Sequence, residues 1–164
     1  MAISTINSAG TTGVITSGTA QNSTSGTSID FTGIPSWVKR VTVMFNGVST
    51  SGTSNLLVQL GSGSIQSTGY TSRATTAGGT LATSTAGFLI SSVLAASDTV
   101  FGSCILNVVT GNTFVGNSFV SLNATQTGAS GSGVSLSGAI DRVRITTVNG
   151  TDTFDAGSIN ILYE

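Results

Sequence analysis

The chain has 164 residues, of which only 7% are charged, and it carries five basic side chains, six acidic side chains and no histidine. An ordinary globular domain carries roughly 25% charged residues, so serine and threonine must supply most of the polar surface here. A net charge of −1 argues against a nucleic-acid partner, because phosphate backbones are bound by clusters of lysine and arginine.

The missing histidine also restricts the possible chemistry. It removes the Ser-His-Asp and Cys-His catalytic arrangements and the commonest protein ligand of metals. We therefore expect no enzymatic activity and no cofactor. No apolar run approaches the roughly 18 residues of a membrane span, so we expect no membrane insertion. The N-terminus lacks the charged and apolar regions of a signal peptide.

The chain is predicted to form one domain preceded by an arm. Residues 1–28 are rich in Ser, Thr, Gly and Asn with isolated aliphatic residues. They indicate an extended N-terminal arm or a few weak edge strands, either flexible or ordered against a partner subunit. Residues 29–164 are predicted to form a single β-sandwich domain. The lone Cys104 excludes an internal disulfide framework and suits a small buried position.

In chain order, the first clear strand covers residues 37–45, where apolar and polar side chains alternate. It follows Pro35, which suits the start of a strand, and Asn46-Gly47 predicts a turn at its end. A second strand is predicted at 55–60. Weaker strands are expected at 64–70 and 86–91.

The clearest hairpin joins residues 99–110 to residues 113–122. Its two-residue connection, Gly111-Asn112, favours a type II′ turn because glycine stands first. A Gly/Ser-rich segment, 128–133, is predicted to be a loop.

The C-terminal part reads as two further strands joined by an Asn149-Gly150 turn. The first covers residues 140–148, and the second carries the alternating Ile159, Ile161 and Tyr163. Only residues 93–98 suit a helical turn. Short strands with glycine turns predict an all-β, antiparallel β-sandwich that is jelly-roll-like.

Three residues are candidates for contact with a binding partner. Tyr70 and Arg73 are predicted to lie in a polar loop, and tyrosine and arginine are favoured contact residues; the alternative for Tyr70 is a packed loop anchor. The Gly/Thr segment 76–86 is a further contact candidate. Trp37, the only tryptophan, could stack on a sugar ring, although a place in the core or an interface is favoured.

The acidic residues offer one weak metal candidate. Asp152 and Asp155 stand three apart beside the Asn149-Gly150 turn, and calcium prefers carboxylate and carbonyl oxygens. The favoured alternative is that these side chains bond local backbone N–H groups. Asp141, beside Arg142 and Arg144, is predicted to form a surface or interface ion pair.

Two segments resemble tailed-bacteriophage virion proteins, especially tail-fibre and related host-contact proteins. They are IPSWVKRVTVMFNGVSTSGTSNLLVQLGSG, which begins at Ile34, and AIDRVRITTVNGTDTFDAGSINILYE at the C-terminus. The similarity spans about residues 31–164. The resemblance implies a β-rich structural domain, often trimeric in fibres, with no catalytic residues to carry over.

We therefore expect a non-catalytic structural protein of a tailed-phage virion, in the tail or tail fibre, that contributes to host attachment. The expected partners are further copies of the chain (a homotrimer is favoured), other virion proteins and a glycan or protein of the host surface. Synthesis in the host cytoplasm would explain the missing signal peptide.

Two alternatives remain open. One is a capsid decoration or head-fibre protein that contacts other virion proteins through the N-terminal arm. The other is a small polysaccharide-degrading tailspike fragment, which the chain length and the scattered carboxylates disfavour.

Overall fold

A computed structural model describes residues 15–79, 81–123 and 126–164. Within these ranges the backbone forms fourteen strands and no helix, which confirms the all-β prediction. The strands are β1 (Thr16–Ser17), β2 (Gln21–Asn22), β3 (Ser28–Thr32), β4 (Arg40–Thr50), β5 (Leu56–Ser62), β6 (Ser64–Ile65), β7 (Thr71–Thr76), β8 (Leu81–Ser84), β9 (Phe88–Leu89), β10 (Val100–Thr110), β11 (Thr113–Leu122), β12 (Gln126–Ser135), β13 (Arg142–Thr147) and β14 (Phe154–Tyr163).

The described strands form two antiparallel sheets that enclose one main core, as the sandwich prediction requires. The large sheet has nine strands in the order β1-β14-β4-β10-β11-β12-β7-β8, with β2 also paired to β14. The small sheet has five, in the order β3-β13-β5-β6, with β9 paired to β5. Alternate residues of each inner face fill the core, among them Val41, Val43 and Phe45 from β4 and Val143 and Ile145 from β13. The jelly-roll arrangement stays a prediction.

The described part of the predicted arm lies against the edge of the large sheet. Thr16 of β1 pairs with Tyr163, and Gln21 of β2 pairs with Ile159. Residues 15–22 thus take the form of short edge strands. Residues 1–14, the rest of the predicted arm up to β1, lie outside the described residues.

The predicted turn at Asn46-Gly47 is wrong, because β4 continues through it to Thr50. Val100 pairs with Val48 whereas Phe101 pairs with Asn46, so Gly47 is an extra residue in the ladder. Its φ of +66° is a backbone conformation that glycine adopts readily. The result is a β-bulge, which bends a strand without ending it. The strand also begins at Arg40 rather than at Trp37.

The β10–β11 hairpin and the C-terminal strands are confirmed. The hairpin joins Val100–Thr110 to Thr113–Leu122, and Gly111 has the positive φ (+52°) that a type II′ turn needs at its first central residue. Strands β13 and β14 flank the Asn149-Gly150 turn, where Gly150 has a φ of +68°.

The predicted loop at 128–133 is wrong, since the whole segment lies inside β12 between β11 and β7. Its core-facing residues are small because another segment, residues 89–92, crosses this face of the sheet. A Cβ on Gly128 would lie 2.8 Å from the Cβ of Ser91. The small side chains therefore make room for a neighbouring backbone rather than indicating a flexible loop.

Side-chain hydroxyls bind the backbone of this crossing segment. Ser72 Oγ accepts a hydrogen bond from the Leu89 N–H at 2.9 Å, and Ser118 Oγ donates to the Ile90 carbonyl at 2.8 Å. Buried backbone groups need such partners when no strand ladder supplies them.

The remaining predicted elements are shorter than expected. Residues 64–70 contain only β6, and residues 86–91 contain only β9. The segment 93–98 forms a turn, closed by a hydrogen bond of 2.9 Å from the Asp98 N–H to the Ala95 carbonyl.

Candidate interaction surfaces

Tyr70 lies in the core, so the prediction that it contacts a receptor is corrected. Its side chain is 2% exposed and packs edge to face on Phe88, with ring centroids 5.2 Å apart. The hydroxyl accepts from the Leu60 N–H at 2.8 Å and donates to the Gln66 carbonyl at 3.0 Å. Burial raises the pKa of Tyr70 to about 12, against a smaller lowering effect of the Leu60 hydrogen bond. The packed-anchor alternative is therefore confirmed.

Arg73 is exposed, but it lies on strand β7 rather than in a loop. It pairs with Gly131 of β12 on one side and with Thr83 of β8 on the other. The predicted contact segment 76–86 includes the end of β7 and all of β8, with a turn at 77–79. Thr80 lies outside the described residues. Arg73 and this hairpin stay candidate contacts.

Trp37 is 41% exposed and packs against Tyr163, with ring centroids 6.2 Å apart. It lies just before β4, whereas Arg73 lies on β7. Strands β10, β11 and β12 separate these two strands in the sheet, which places them about 19 Å apart at the usual strand spacing. The structure therefore does not bring Trp37 and Arg73 into one site.

The two carboxylates of the metal candidate lie in different local structures. Asp152 Oδ2 accepts from the Ser54 N–H at 3.0 Å, and Oδ1 accepts from the Asn149 side-chain amide at 2.6 Å. These hydrogen bonds lower the pKa of Asp152, the amide of Asn149 most. Asp155 is exposed on β14. The described residues contain no group of three His, Cys, Asp or Glu side chains placed to hold a metal, and Asp152 bonds N–H groups as the alternative predicts.

Ion pairs are concentrated on the outer face of the small sheet. Arg144 on β13 binds Asp30 on β3 through two hydrogen bonds of 2.7 Å. Arg142 binds Asp141 at 2.7 and 3.0 Å, which confirms that predicted pair. The pKa of Asp141 is lowered, mainly by the Arg142 hydrogen bond. The ion pairs on strands β3 and β13 are therefore partly exposed to solvent, whereas Leu57 and Gln59 of β5 are buried.

A polar groove of about 330 Å³ crosses the same face. Its lining includes Gln59 of β5 and Thr146 of β13. Gln59 donates to the Ala86 carbonyl and Thr146 donates to the Thr27 carbonyl, each at 2.8 Å. A ligand would have to compete with these internal hydrogen bonds.

The outer face of the large sheet has the opposite character. Phe101 is 47% exposed, Val115 is 45% exposed and Phe119 is 66% exposed. Strands β10, β11 and β12 contain no charged residue. On strands β14, β4, β10, β11 and β12, polar outward side chains such as Ser103, Asn107, Asn117 and Ser121 alternate with apolar ones. The outward apolar side chains of these five strands include Met44, Phe101, Ile105, Val109, Val115, Phe119, Ala129 and Leu162.

We call this set of residues the apolar face. Its charged neighbours stand at the margins: Arg40 pairs with Glu164 at one end, Asp155 is exposed near the start of β14, and Arg73 lies beyond β12. Exposed apolar patches of this kind are typical of interaction sites. Sequence reasoning missed this face.

No family model, curated protein or solved structure matches this chain. Among the described residues, no helix is long and apolar enough to cross a membrane.

Proposed function

We propose that the chain is a non-catalytic structural protein of a tailed-phage virion, located in the tail or tail fibre, where it contributes to host attachment. The observation that carries the proposal is the unequal distribution of charge between the two outer faces. The small sheet presents ion pairs to solvent, whereas the large sheet presents exposed aromatic and aliphatic side chains. Such a sandwich is suited to lie within an assembly with one face covered.

The carboxylates support a structural role, because most of them bind groups within the protein. Asp30 and Asp141 bind arginines, Asp152 binds the Ser54 N–H, Asp98 binds the Ala95 N–H, and Glu164 binds Arg40. A glycoside hydrolase would need two carboxyl groups facing one substrate-binding cleft. The resemblance to tail-fibre and host-contact proteins supplies the virion location, and it favours a homotrimer.

Host attachment is tested by adsorption competition with the purified chain. We expect the protein to slow adsorption of the encoding phage to its host in a saturable manner. Arg73→Ala should raise the concentration for half-maximal competition about tenfold, because arginine is a common energetic anchor of contacts. Arg142→Ala, which removes the same charge from the other sheet, should compete like the wild type. Absence of competition at saturating protein would contradict the attachment role.

A further inference from the structure

The block of sheet that carries the apolar face is large enough to be a stable interface, counting its polar and glycine positions with the apolar ones. Five consecutive strands of the large sheet, β14, β4, β10, β11 and β12, have ten or eleven residues each. At the usual strand spacing and rise, such a block presents about 800 Å². A standard stable protein–protein interface buries about 800 Å² on each partner. No further strand is needed to reach that area.

The face also has relief. The outward side chains of β10 and β11 include Phe101, Ile105, Val115 and Phe119, which form a ridge. The outward positions in the middle of the neighbouring β12 are Ala129, Gly131 and Gly133, with Thr127 and Ser135 at its ends, and the small central residues form a furrow beside the ridge. A Cβ built on Gly131 would have no neighbouring atom within 4 Å, so the furrow is open at this position. Ridge and furrow on one surface make that surface complementary to another copy of itself.

The charge pattern favours the same occupant. When two copies of one face meet around a symmetry axis, a charged side chain near the axis lies close to the same side chain of the second copy. The two like charges then repel each other unless opposite charges compensate them. The central strands β10, β11 and β12 carry no charged residue, so this penalty is absent. Interface centres are depleted of charge and enriched in aromatic residues, with polar residues at the rim. Arg40 and Arg73 occupy rim positions.

We propose that copies of this chain associate through the apolar face, the β10–β11 ridge of one copy packing into the β12 furrow of the next. The homo-oligomer would form through this surface wherever the oligomer sits in a particle. A monomeric wild type would overturn it without touching the virion assignment, and absence from virions would leave it standing.

The test measures the mass of the purified full chain by sedimentation over a wide concentration range. Phe119→Asp should weaken association about 100-fold or more, because it buries an unpaired charge in the interface. The matched control is Val148→Asp, since Val148 is 51% exposed but follows β13 of the small sheet. The control should associate like the wild type.

A second variant fills the furrow without disturbing the monomer. Gly131→Val adds a β-branched side chain at an outward strand position where a Cβ meets no atom within 4 Å, so circular dichroism and thermal unfolding of the diluted protein should show an intact fold. Its association should weaken at least tenfold, because overfilling a packed contact forces the partners apart. A wild type that is monomeric at every concentration, or folded Phe119→Asp and Gly131→Val variants that associate like the wild type, would overturn the proposal.

Discussion

At the scale of residues, tertiary contacts decide the role of Tyr70 more than its polar neighbours in sequence do. The segment around it reads as a loop with a favoured contact residue, yet its ring packs on Phe88 and its hydroxyl bonds the backbone of β5. Nothing in the sequence around Tyr70 indicates a contact with Leu60, which lies in strand β5. The exposed candidates that remain are Arg73, which lies at an outward position of β7, and Trp37, which is 41% exposed.

The buried Tyr70 makes stability depend on alkaline pH. Its pKa is raised to about 12 in the folded protein, whereas an unfolded tyrosine has a pKa of about 10. Between these values the unfolded chain releases a proton that the folded chain keeps. The contribution of Tyr70 to the free energy of unfolding should therefore be constant below pH 10 and should fall above it, by about 1.4 kcal/mol per pH unit.

Denaturant titrations across this pH range test the effect. Tyr70→Phe should cost about 1–2 kcal/mol at neutral pH, because the Leu60 N–H loses its partner, and its slope above pH 10 should be shallower by one proton. An unchanged slope in Tyr70→Phe would refute the assignment. Cys104, whose pKa burial also raises to about 12, contributes a slope of the same sign, beginning about one pH unit lower, to the wild type and to Tyr70→Phe alike.

At the scale of elements, the sequence identifies strands whose alternation is local and misses those shaped by a distant neighbour. The β10–β11 hairpin is predicted well, because its turn glycine and its period of two are both local signals. Strand β12 is missed because its glycines and serines read as a loop, although they make room for residues 89–92. The Asn46-Gly47 pair is misread because a bulge and a turn use the same residues.

Two glycines of β12 give a matched test of this explanation. Gly128→Ala should destabilise the protein by about 1–3 kcal/mol, because the added methyl group would overpack the contact with Ser91. The methyl group added by Gly131→Ala would point away from the core into open space. This variant should leave the free energy of unfolding unchanged or raise it by about 0.5–1 kcal/mol. Denaturant titration of both variants, diluted to the monomer, checks the difference. Equal effects would mean that residues 89–92 do not constrain β12.

At the scale of the whole molecule, the sandwich separates a charged outer face from an apolar one. The sequence contains the strands of the apolar face but does not show which side of each strand faces the core. In β10, Val100, Cys104 and Leu106 face inward while Phe101 and Ile105 face outward, and both sets are apolar. Only the pairing of the strands into two layers decides which of the two sets faces the core. The fold class can therefore be predicted from the sequence, whereas the apolar face cannot.

The most direct test of the virion assignment is the position of the protein in particles of the encoding phage. Antibodies raised against the purified chain, detected with gold by electron microscopy, should label the tail or its fibres. Uniform labelling of the capsid would contradict the tail assignment and favour a decoration or head-fibre protein. If intact particles bind no antibody and a blot of denatured particles also shows no trace of the chain, a virion protein of either kind is contradicted.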